Sequence, residues 1–228
     1  MSRHVHVLAL LLAVAATPAA AQGRATQLRG TPSSNWTGGF ALGYNTGKAF
    51  DLHLMTPSFG PQLKARVAFR YAGVDPGDGL LARHVFINDN TNGTLEQSGT
   101  TWGFKLDVLH PVHLLANHAA IYAGVRHAWF TGDYRFVGGN EDFEIKSNHW
   151  GFGGGLETEY PVSRRVTLLV TGGLDYFLPS SMYGHDATYR PDNNNTNPRN
   201  DYNYSDADKA VGQPKFAPIM MVGMDYRF

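Results

Sequence analysis

The sequence predicts an all-β fold: a transmembrane, antiparallel, up-and-down β-barrel of eight strands. Three observations predict it: an alternating final strand, an N-terminal export signal, and connections that alternate between short and long. The final strand, residues 216–228, is apolar or aromatic at every second position, with charged, small or mixed residues between. Successive side chains of a strand point to opposite faces. This strand therefore has one wall suited to lipid and one suited to a polar interior.

The composition narrows the class of protein. The 19 basic residues (Lys and Arg) balance the 19 acidic ones (Asp and Glu), so no electrostatic argument favours nucleic acid as a partner. The chain contains no cysteine, which excludes a disulfide framework and thiolate chemistry. Without residues 1–21, 207 of its 228 residues remain, a length that suits one barrel or one sandwich.

Residues 1–21 are predicted to be a secretory signal peptide. A basic start precedes the apolar run 7–16, and an A-x-A cleavage site ends near Ala21. Residues 22–35 are predicted to be a flexible N-terminal segment. Residues 36–228 are predicted to form the barrel domain.

Prolines mark where three of the predicted strands end, because proline cannot donate to a strand ladder. Pro57, Pro111 and Pro161 each stand between an alternating segment and a short connection that leads into the next one. The predicted strands are residues 36–45, 48–56, 62–73, 99–110, 118–131, 147–160, 164–178 and 216–228.

The other connections, residues 74–98, 132–146 and 179–214, are longer and rich in Asn, Asp, Gly and Thr. Short turns on one rim and long loops on the other are typical of outer-membrane barrels. We therefore expect the long loops to be extracellular and both chain ends to be periplasmic. Residues 80–87 are an alternative further strand, which would shift the early pairing.

The inward wall is predicted to carry a closed network of charges. No charge falls among the predicted outward positions, which include Phe40, Val67 and Leu106. The predicted inward charges are Lys64, Arg66, Arg70, Lys105, Arg126, Arg227, Asp51, Asp107, Glu157, Glu159, Asp175 and Asp225. Six cations facing six anions indicate mutual neutralisation, since a lone buried charge is costly. A soluble lipocalin-like barrel, the alternative, would place its apolar side chains inside.

Aromatic residues gather toward both predicted rims, as in the belts of membrane proteins. They are Tyr71, Trp102, Trp129, Trp150 and Tyr176 near the long-loop rim, and Trp36, Tyr160, Tyr226 and Phe228 near the short-turn rim. With this pattern, residues 36–228 resemble the small eight-stranded outer-membrane β-barrel proteins of diderm bacteria.

The chain end carries the most specific part of this resemblance. Tyr226-Arg227-Phe228, preceded by alternating apolar residues, is similar to the C-terminal assembly signal of that class. The resemblance implies an outer-membrane location, contact with outer-membrane lipid, and recognition of Tyr226 and Phe228 by the barrel-assembly machinery.

Several groups of residues contain the side chains that catalytic or metal sites use. We interpret each of these groups as structural. Glu157 and Glu159 have a spacing that suits glycoside chemistry, but partnering of arginines explains them better. The histidines considered for zinc are His53, His110, His113 and His118. Residues 88–93 resemble a calcium loop but lack its chelating glutamate. We predict no cofactor and no metal.

A lipid-modifying enzyme is an alternative function. Ser180, Ser181, His185 and Asp186 lie together after the seventh predicted strand. A nucleophile needs a base within hydrogen-bond reach and donors for the oxyanion. No G-x-S-x-G motif is present, and we expect no Ser and His two residues apart on a late strand.

The long loop 179–214 is the candidate ligand site. It contains Tyr183, Tyr189, Tyr202 and Tyr204 among many asparagines, a composition typical of binding loops. The predicted function is a structural or surface-interaction barrel that contacts an extracellular ligand or host surface through its loops. A narrow pore or small-molecule carrier is the other alternative.

Overall fold

The computed structural model describes residues 35–60, 62–90, 92–112, 118–199 and 202–228. The predicted signal peptide, the predicted flexible segment up to residue 34, and His113 lie outside these residues. Among the residues that are described, no helix is both long enough and apolar enough to cross a membrane.

Ten antiparallel strands form one sheet, and eight of them close into a barrel. The strands are β1 Thr37–Asn45, β2 Gly47–Met55, β3 Lys64–Val74, β4 Thr94–Val112, β5 Ala119–Val137, β6 Asp142–Pro161, β7 Val166–Phe177, β8 Met182–Gly184, β9 Ala187–Tyr189 and β10 Phe216–Arg227. Barrel strands pair in chain order, and β1 closes against β10, with Thr37 opposite Arg227 and Asn45 opposite Ile219. The predicted eight-stranded antiparallel barrel is confirmed.

The short strands β8 and β9 lie beside β6 beyond the end of β7. Residues 145–147 of β6 pair with β8, whereas β7 pairs with β6 only from Gly151 onward. The sheet therefore continues past the barrel proper on this side.

The predicted connection 132–146 is wrong, because β5 and β6 run on to Val137 and back from Asp142. The inward positions stay apolar, with Tyr134, Phe136, Phe143 and Ile145 all buried. The outward positions become charged instead, at Asp133, Arg135, Glu144 and Lys146. The hairpin thus projects beyond the apolar outer band while keeping one buried face.

The alternative strand at residues 80–87 is also wrong: the segment is helix α1, Gly79–Phe86. The Asp78 carboxylate caps it by accepting from the backbone N–H groups of Leu80 and Leu81 at 3.1 Å. Buried residues Ala82, Val85 and Phe86 follow helical spacing, so one face of α1 packs inward.

The outer wall of the barrel is an apolar band. Its exposed side chains include Phe40, Leu42, Leu52, Leu54, Val67, Phe69, Trp102, Phe104, Leu106, Val108, Ile121, Val125, Trp129, Trp150, Phe152, Leu156, Leu174 and Tyr176. These are positions predicted to point outward. Monomeric soluble proteins rarely expose a contiguous apolar surface of this extent.

His127 lies on this outer wall, where no titratable residue was predicted. Its ring centroid is 4.4 Å from that of Trp129 and 4.5 Å from that of Trp150. The imidazole is therefore enclosed between two indoles near the long-loop end.

Candidate functional site

The barrel interior is occupied by a continuous chain of ion pairs. Asp107 lies at its centre, with Arg66 Nη2 at 3.0 Å and Arg126 Nη1 at 2.6 Å from its two carboxylate oxygens. Arg126 Nε also contacts Asp175 Oδ1 at 2.6 Å. Asp175 in turn pairs with Arg70, whose Nη1 lies 3.2 Å away. These side chains are buried, so each carboxylate is neutralised by guanidinium groups rather than by water.

The chain of ion pairs ends on Glu157 at one side and on Asp51 at the other. Arg66 Nη1 pairs with Glu157, which also accepts a hydrogen bond from Thr171 Oγ1 at 3.4 Å. Asp51 contacts Arg70 Nη2 at 3.0 Å and Lys105 Nζ at 2.5 Å. Eight of the predicted interior charges therefore meet in one network, which we call the ion network.

The strands that carry the ion network leave room for it through small residues. A Cβ at Gly153 would overlap the Asp175 carboxylate and lie 2.6 Å from Arg126 Nε. An interior of eight strands is just wide enough to be filled by its own side chains. The cavity beside Arg70, Arg126 and Asp175 has a volume of about 20 Å³, room for about one water molecule.

His53 belongs to the interior, although sequence reasoning grouped it with the turn histidines. It is buried, with Nε2 2.7 Å from Asp225 Oδ1 and Nδ1 3.8 Å from Asp51 Oδ1. The sequence did contain a signal for this position. His53 follows Asp51 by two residues on β2, so the two side chains point to the same, inward face of the strand.

A protonated His53 balances the buried charges. The buried carboxylates are Asp51, Asp107, Glu157, Asp175 and Asp225, and the buried Arg and Lys side chains of the barrel interior are Arg66, Arg70, Lys105 and Arg126. The carboxylates exceed these cations by one, and an imidazolium between Asp51 and Asp225 supplies the missing positive charge.

Replacing His53 with glutamine is expected to lower the free energy of unfolding by about 1–3 kcal/mol, because Asp225 loses a charged hydrogen-bond donor. Chemical denaturation in detergent micelles measures this. His185→Gln, at an exposed histidine, is the matched control. Combining His53→Gln with Asp225→Asn should restore part of the loss. Equal denaturation midpoints for the His53 variant and the parent chain would contradict the assigned role of His53.

Three predicted interior charges lie apart from the ion network. Lys64 and Glu159 form a separate, partly exposed pair at the short-turn end, with Nζ 3.5 Å from Oε1. Arg227 is exposed and makes no ion pair with any residue that the structure describes. The prediction for Arg227 is therefore corrected: it has the inward parity of β10, but the strand ends there and the side chain leaves the interior.

A second compact region closes the long-loop end of the barrel. Its buried core consists of Ala82, Val85, Phe86, Phe130, Tyr134, Phe136, Phe143, Ile145, Met182, Ala187, Tyr189, Ala207, Ala210 and Val211. We call this region the cap: α1, β8, β9 and helix α2, Tyr204–Ala210, packed on the projecting β5–β6 hairpin. The apolar faces of these elements pack together over the barrel mouth.

Specific hydrogen bonds fix the cap. Asn203 caps the start of α2 with a capping box. Its side chain accepts a hydrogen bond from the Asp206 backbone N–H, and the Asp206 carboxylate accepts one from the Asn203 backbone N–H. The Tyr134 hydroxyl donates to the Pro76 carbonyl at 2.6 Å. The Asp78 N–H donates to the Ala210 carbonyl at 2.8 Å, which joins the two long connections.

The four tyrosines of the candidate ligand loop do not form one exposed surface. Tyr189 is buried, and its hydroxyl donates to the Val85 carbonyl at 2.7 Å and accepts from the Arg199 N–H at 3.1 Å. Burial raises the pKa of Tyr189, and no external ligand can contact its ring. Tyr202 and Tyr204 are half-buried against the cap core, and only Tyr183 of the four is exposed. The prediction is corrected for Tyr189, because the loop folds on itself around an apolar core.

Ser147 and His149 are two residues apart on β6, which corrects the expectation that no such pair exists. Ser147 Oγ lies 2.7 Å from His149 Nε2, and His149 Nδ1 lies 3.1 Å from the Leu178 carbonyl oxygen. If Nδ1–H donates to that carbonyl, Nε2 accepts from the serine, as in a nucleophile–base pair. Both side chains are 1% exposed, however, so a substrate has no access to the hydroxyl.

The rim residues considered for catalysis are not brought together. His185 Nδ1 contacts Asp186 Oδ2 at 3.2 Å on the protein surface. No hydrogen bond joins His185 to Ser180 or Ser181 within the described part of the chain. The geometry therefore does not assemble a serine nucleophile with its base at this rim.

The other candidate sites are also accounted for by structure. Glu157, considered with Glu159 for glycoside chemistry, forms an ion pair with Arg66. Asn88 holds its own loop, because its Nδ2 donates to Glu141 and its Oδ1 accepts from the Asn90 N–H. In the described ranges, no group of three or more His, Cys, Asp or Glu side chains could hold a metal ion.

No protein-family model and no curated protein matches the chain. In structure it is similar to a major outer membrane protein from Thermus thermophilus, with a TM-score of 0.68 and 24% identity over 85% of this chain and 99% of that one. That likeness shows the fold, an eight-stranded barrel of the outer-membrane type.

Two further likenesses have lower TM-scores. Neisserial surface protein A gives a TM-score of 0.41 and 12% identity over 86% of this chain and 98% of that one. Ail, the attachment invasion locus protein of Yersinia pestis, gives a TM-score of 0.44 and 10% identity over 85% of this chain and 97% of that one. With TM-scores below 0.5, these two add nothing to the assignment of the fold.

Proposed function

We propose that this protein is a closed outer-membrane barrel with a structural or surface-interaction role, which it performs through the cap and the projecting β5–β6 hairpin. The observation that carries the proposal is the double closure of the barrel. The ion network fills the interior, and the apolar core of the cap covers the long-loop end. A barrel closed twice is suited to presenting a rigid surface rather than to passing solutes.

The membrane location is supported by the outer wall. The apolar band meets charged outward residues on β5 and β6 only beyond the level of Trp129 and Trp150. Tryptophans at such a boundary are typical of the interface between hydrocarbon and head groups. The fold of the Thermus outer membrane protein agrees with this placement.

The exposed surface at the long-loop end is the part that a partner would contact. It offers Tyr183, half of which is exposed, and alternating charges at Asp133, Arg135, Glu144 and Lys146. Because the cap is packed around its own core, this surface is preformed. We infer that it binds by fitting a polar partner, either an extracellular ligand or a host surface, without folding on contact.

Purified protein refolded into a planar lipid bilayer is expected to show no steady ion conductance. The guanidinium and carboxylate groups of Arg126, Asp107 and Asp175 occupy the path that ions would take. A variant lacking residues 183–210 should remain heat-modifiable on a gel and remain closed, because the ion network lies below the cap. A known porin provides the positive control.

Two outcomes would contradict the proposal in different ways. Discrete current steps from the parent chain would favour the narrow pore. A mature chain that folds as a monomer in plain buffer, without detergent, would remove the membrane location and with it the surface role. Protease added to intact cells should cut within the cap if this end faces outward.

A further inference from the structure

Three arginines have neighbouring backbone positions at the short-turn end of the barrel. Arg164 and Arg165 belong to the turn between β6 and β7, and Arg227 ends β10; all three are exposed. The backbone N–H of Arg227 donates to the Arg165 carbonyl at 2.8 Å, which holds the strand end against the turn. Ser163 Oγ accepts from the backbone N–H groups of Arg165 and Val166 at 3.3 and 3.1 Å, so the turn itself is fixed. We call the three arginines the arginine cluster.

The arginine cluster has an uncompensated positive charge. None of its members forms an ion pair with any residue that the structure describes. Glu159, which lies toward the same end of β6, is paired with Lys64. One guanidinium donor is used, since Arg165 Nη1 donates to the Tyr226 hydroxyl at 3.1 Å, and arginine has five such donors.

The two ends of the barrel differ in their acidic residues. The described parts of the connections at the short-turn end, residues 56–60, 62–63, 118 and 162–165, contain no Asp or Glu. The described parts of the long connections at the other end, residues 75–90, 92–93, 138–141, 178–199 and 202–215, contain eight. An anion is therefore favoured at the short-turn end and disfavoured at the opposite end.

Exposed apolar side chains surround the arginine cluster. Val162 is 68% exposed and Phe228 is 65% exposed, and Tyr160 and Tyr226 are exposed beside them. Aromatic side chains at a barrel rim lie at the level where hydrocarbon meets head groups. The guanidinium groups are consequently at the height of lipid phosphates, with apolar side chains next to them for the attached chains.

We propose that the arginine cluster binds the phosphate of an anionic phospholipid in the leaflet at the short-turn end. This inference rests on the proposed membrane location. A guanidinium matches two phosphate oxygens with two parallel N–H donors, which lysine cannot do. A lipid phosphate is favoured over a free one because Val162 and Phe228 flank the cluster and can contact the glycerol and acyl portions.

The test uses the mature chain in nanodiscs made of equal amounts of phosphatidylglycerol and phosphatidylcholine. Native mass spectrometry then counts the lipids that each protein retains. The parent chain is expected to retain phosphatidylglycerol preferentially. R164Q/R165Q/R227Q should lose that preference, by about fivefold for each arginine.

The matched control is K48Q/K146Q/K209Q, which removes the same number of charges from the long-loop end. It should keep the preference of the parent chain. If the triple arginine variant does not fold, Arg164→Gln alone is used, because its side chain makes no hydrogen bond to a described residue.

Each result decides the question. An unchanged preference in the arginine variant overturns the lipid site, and so does an equal loss in both triple variants, which would make net charge the cause. Failure of the parent chain to enter nanodiscs in folded form counts against the proposed membrane function instead. The two proposals can therefore fail separately.

Discussion

Replacing Arg126 with leucine is expected to lower the free energy of unfolding by about 3–5 kcal/mol. Arg126 is 1% exposed and bridges Asp107 and Asp175 at 2.6 Å each. Leucine fills part of the space but leaves both carboxylates with one fewer cation in an interior that water scarcely enters. The loss should appear as a lower urea midpoint in detergent micelles, followed by tryptophan fluorescence and by heat-modifiability.

Two variants sharpen this experiment. Arg135→Leu, on the same strand but exposed, should change the free energy of unfolding by no more than about 0.5 kcal/mol. Arg126→Lys keeps the charge but carries all its donors on one nitrogen, so it cannot reproduce both the Nη1 contact with Asp107 and the Nε contact with Asp175, and its stability should be intermediate. The same midpoint for Arg126→Leu as for the parent would show that the ion network does not stabilise the barrel.

Replacing Phe86 with alanine is expected to destabilise the cap by about 3–5 kcal/mol while leaving the barrel folded. Phe86 is 2% exposed, and its ring meets that of Tyr189 edge-on at a centroid distance of 5.0 Å. Its removal leaves a cavity where α1 packs against β8 and β9. Since the ion network makes no use of this core, the effect should remain local.

Hydrogen exchange resolved by segment measures this effect. Amides of α1, β8 and β9 should exchange faster in Phe86→Ala, whereas those of β1 to β3 should keep their rates. Leu80→Ala is the matched control, since Leu80 is an exposed residue of the same helix. A parallel increase in β1 to β3 would mean that cap and barrel unfold as a single unit.

The strands could be predicted because their signal is local. The alternation along β10 follows from the two-residue period of side chains in a strand. The prolines mark strand ends because proline has no N–H to donate. The same parity placed Asp107, Arg126 and Asp175 on the inward face. Which cation meets which anion depended on the register between strands, as in Arg66 opposite Asp107, and no single strand specifies that.

The remaining errors arise where position along the barrel axis matters more than parity. Arg227 has inward parity but lies where β10 ends, so it is exposed. His53 was grouped with the turns, although two residues separate it from Asp51 on the same face. Tyr189 and α1 were missed for another reason: the cap core is built from segments far apart in sequence, and composition alone could not distinguish a packed loop from a solvated one.

The pairing of β1 with β10 has a consequence for how the protein is made. The wall cannot become continuous until β10 has paired, so before that step β1 has one row of unpaired amides and carbonyls. Such a row is a template for aggregation in water and cannot be left open in hydrocarbon. An intermediate that lacks the pairing of β1 with β10 is consequently open to edge-to-edge association with other chains, and only this last pairing leaves the sheet without a free edge.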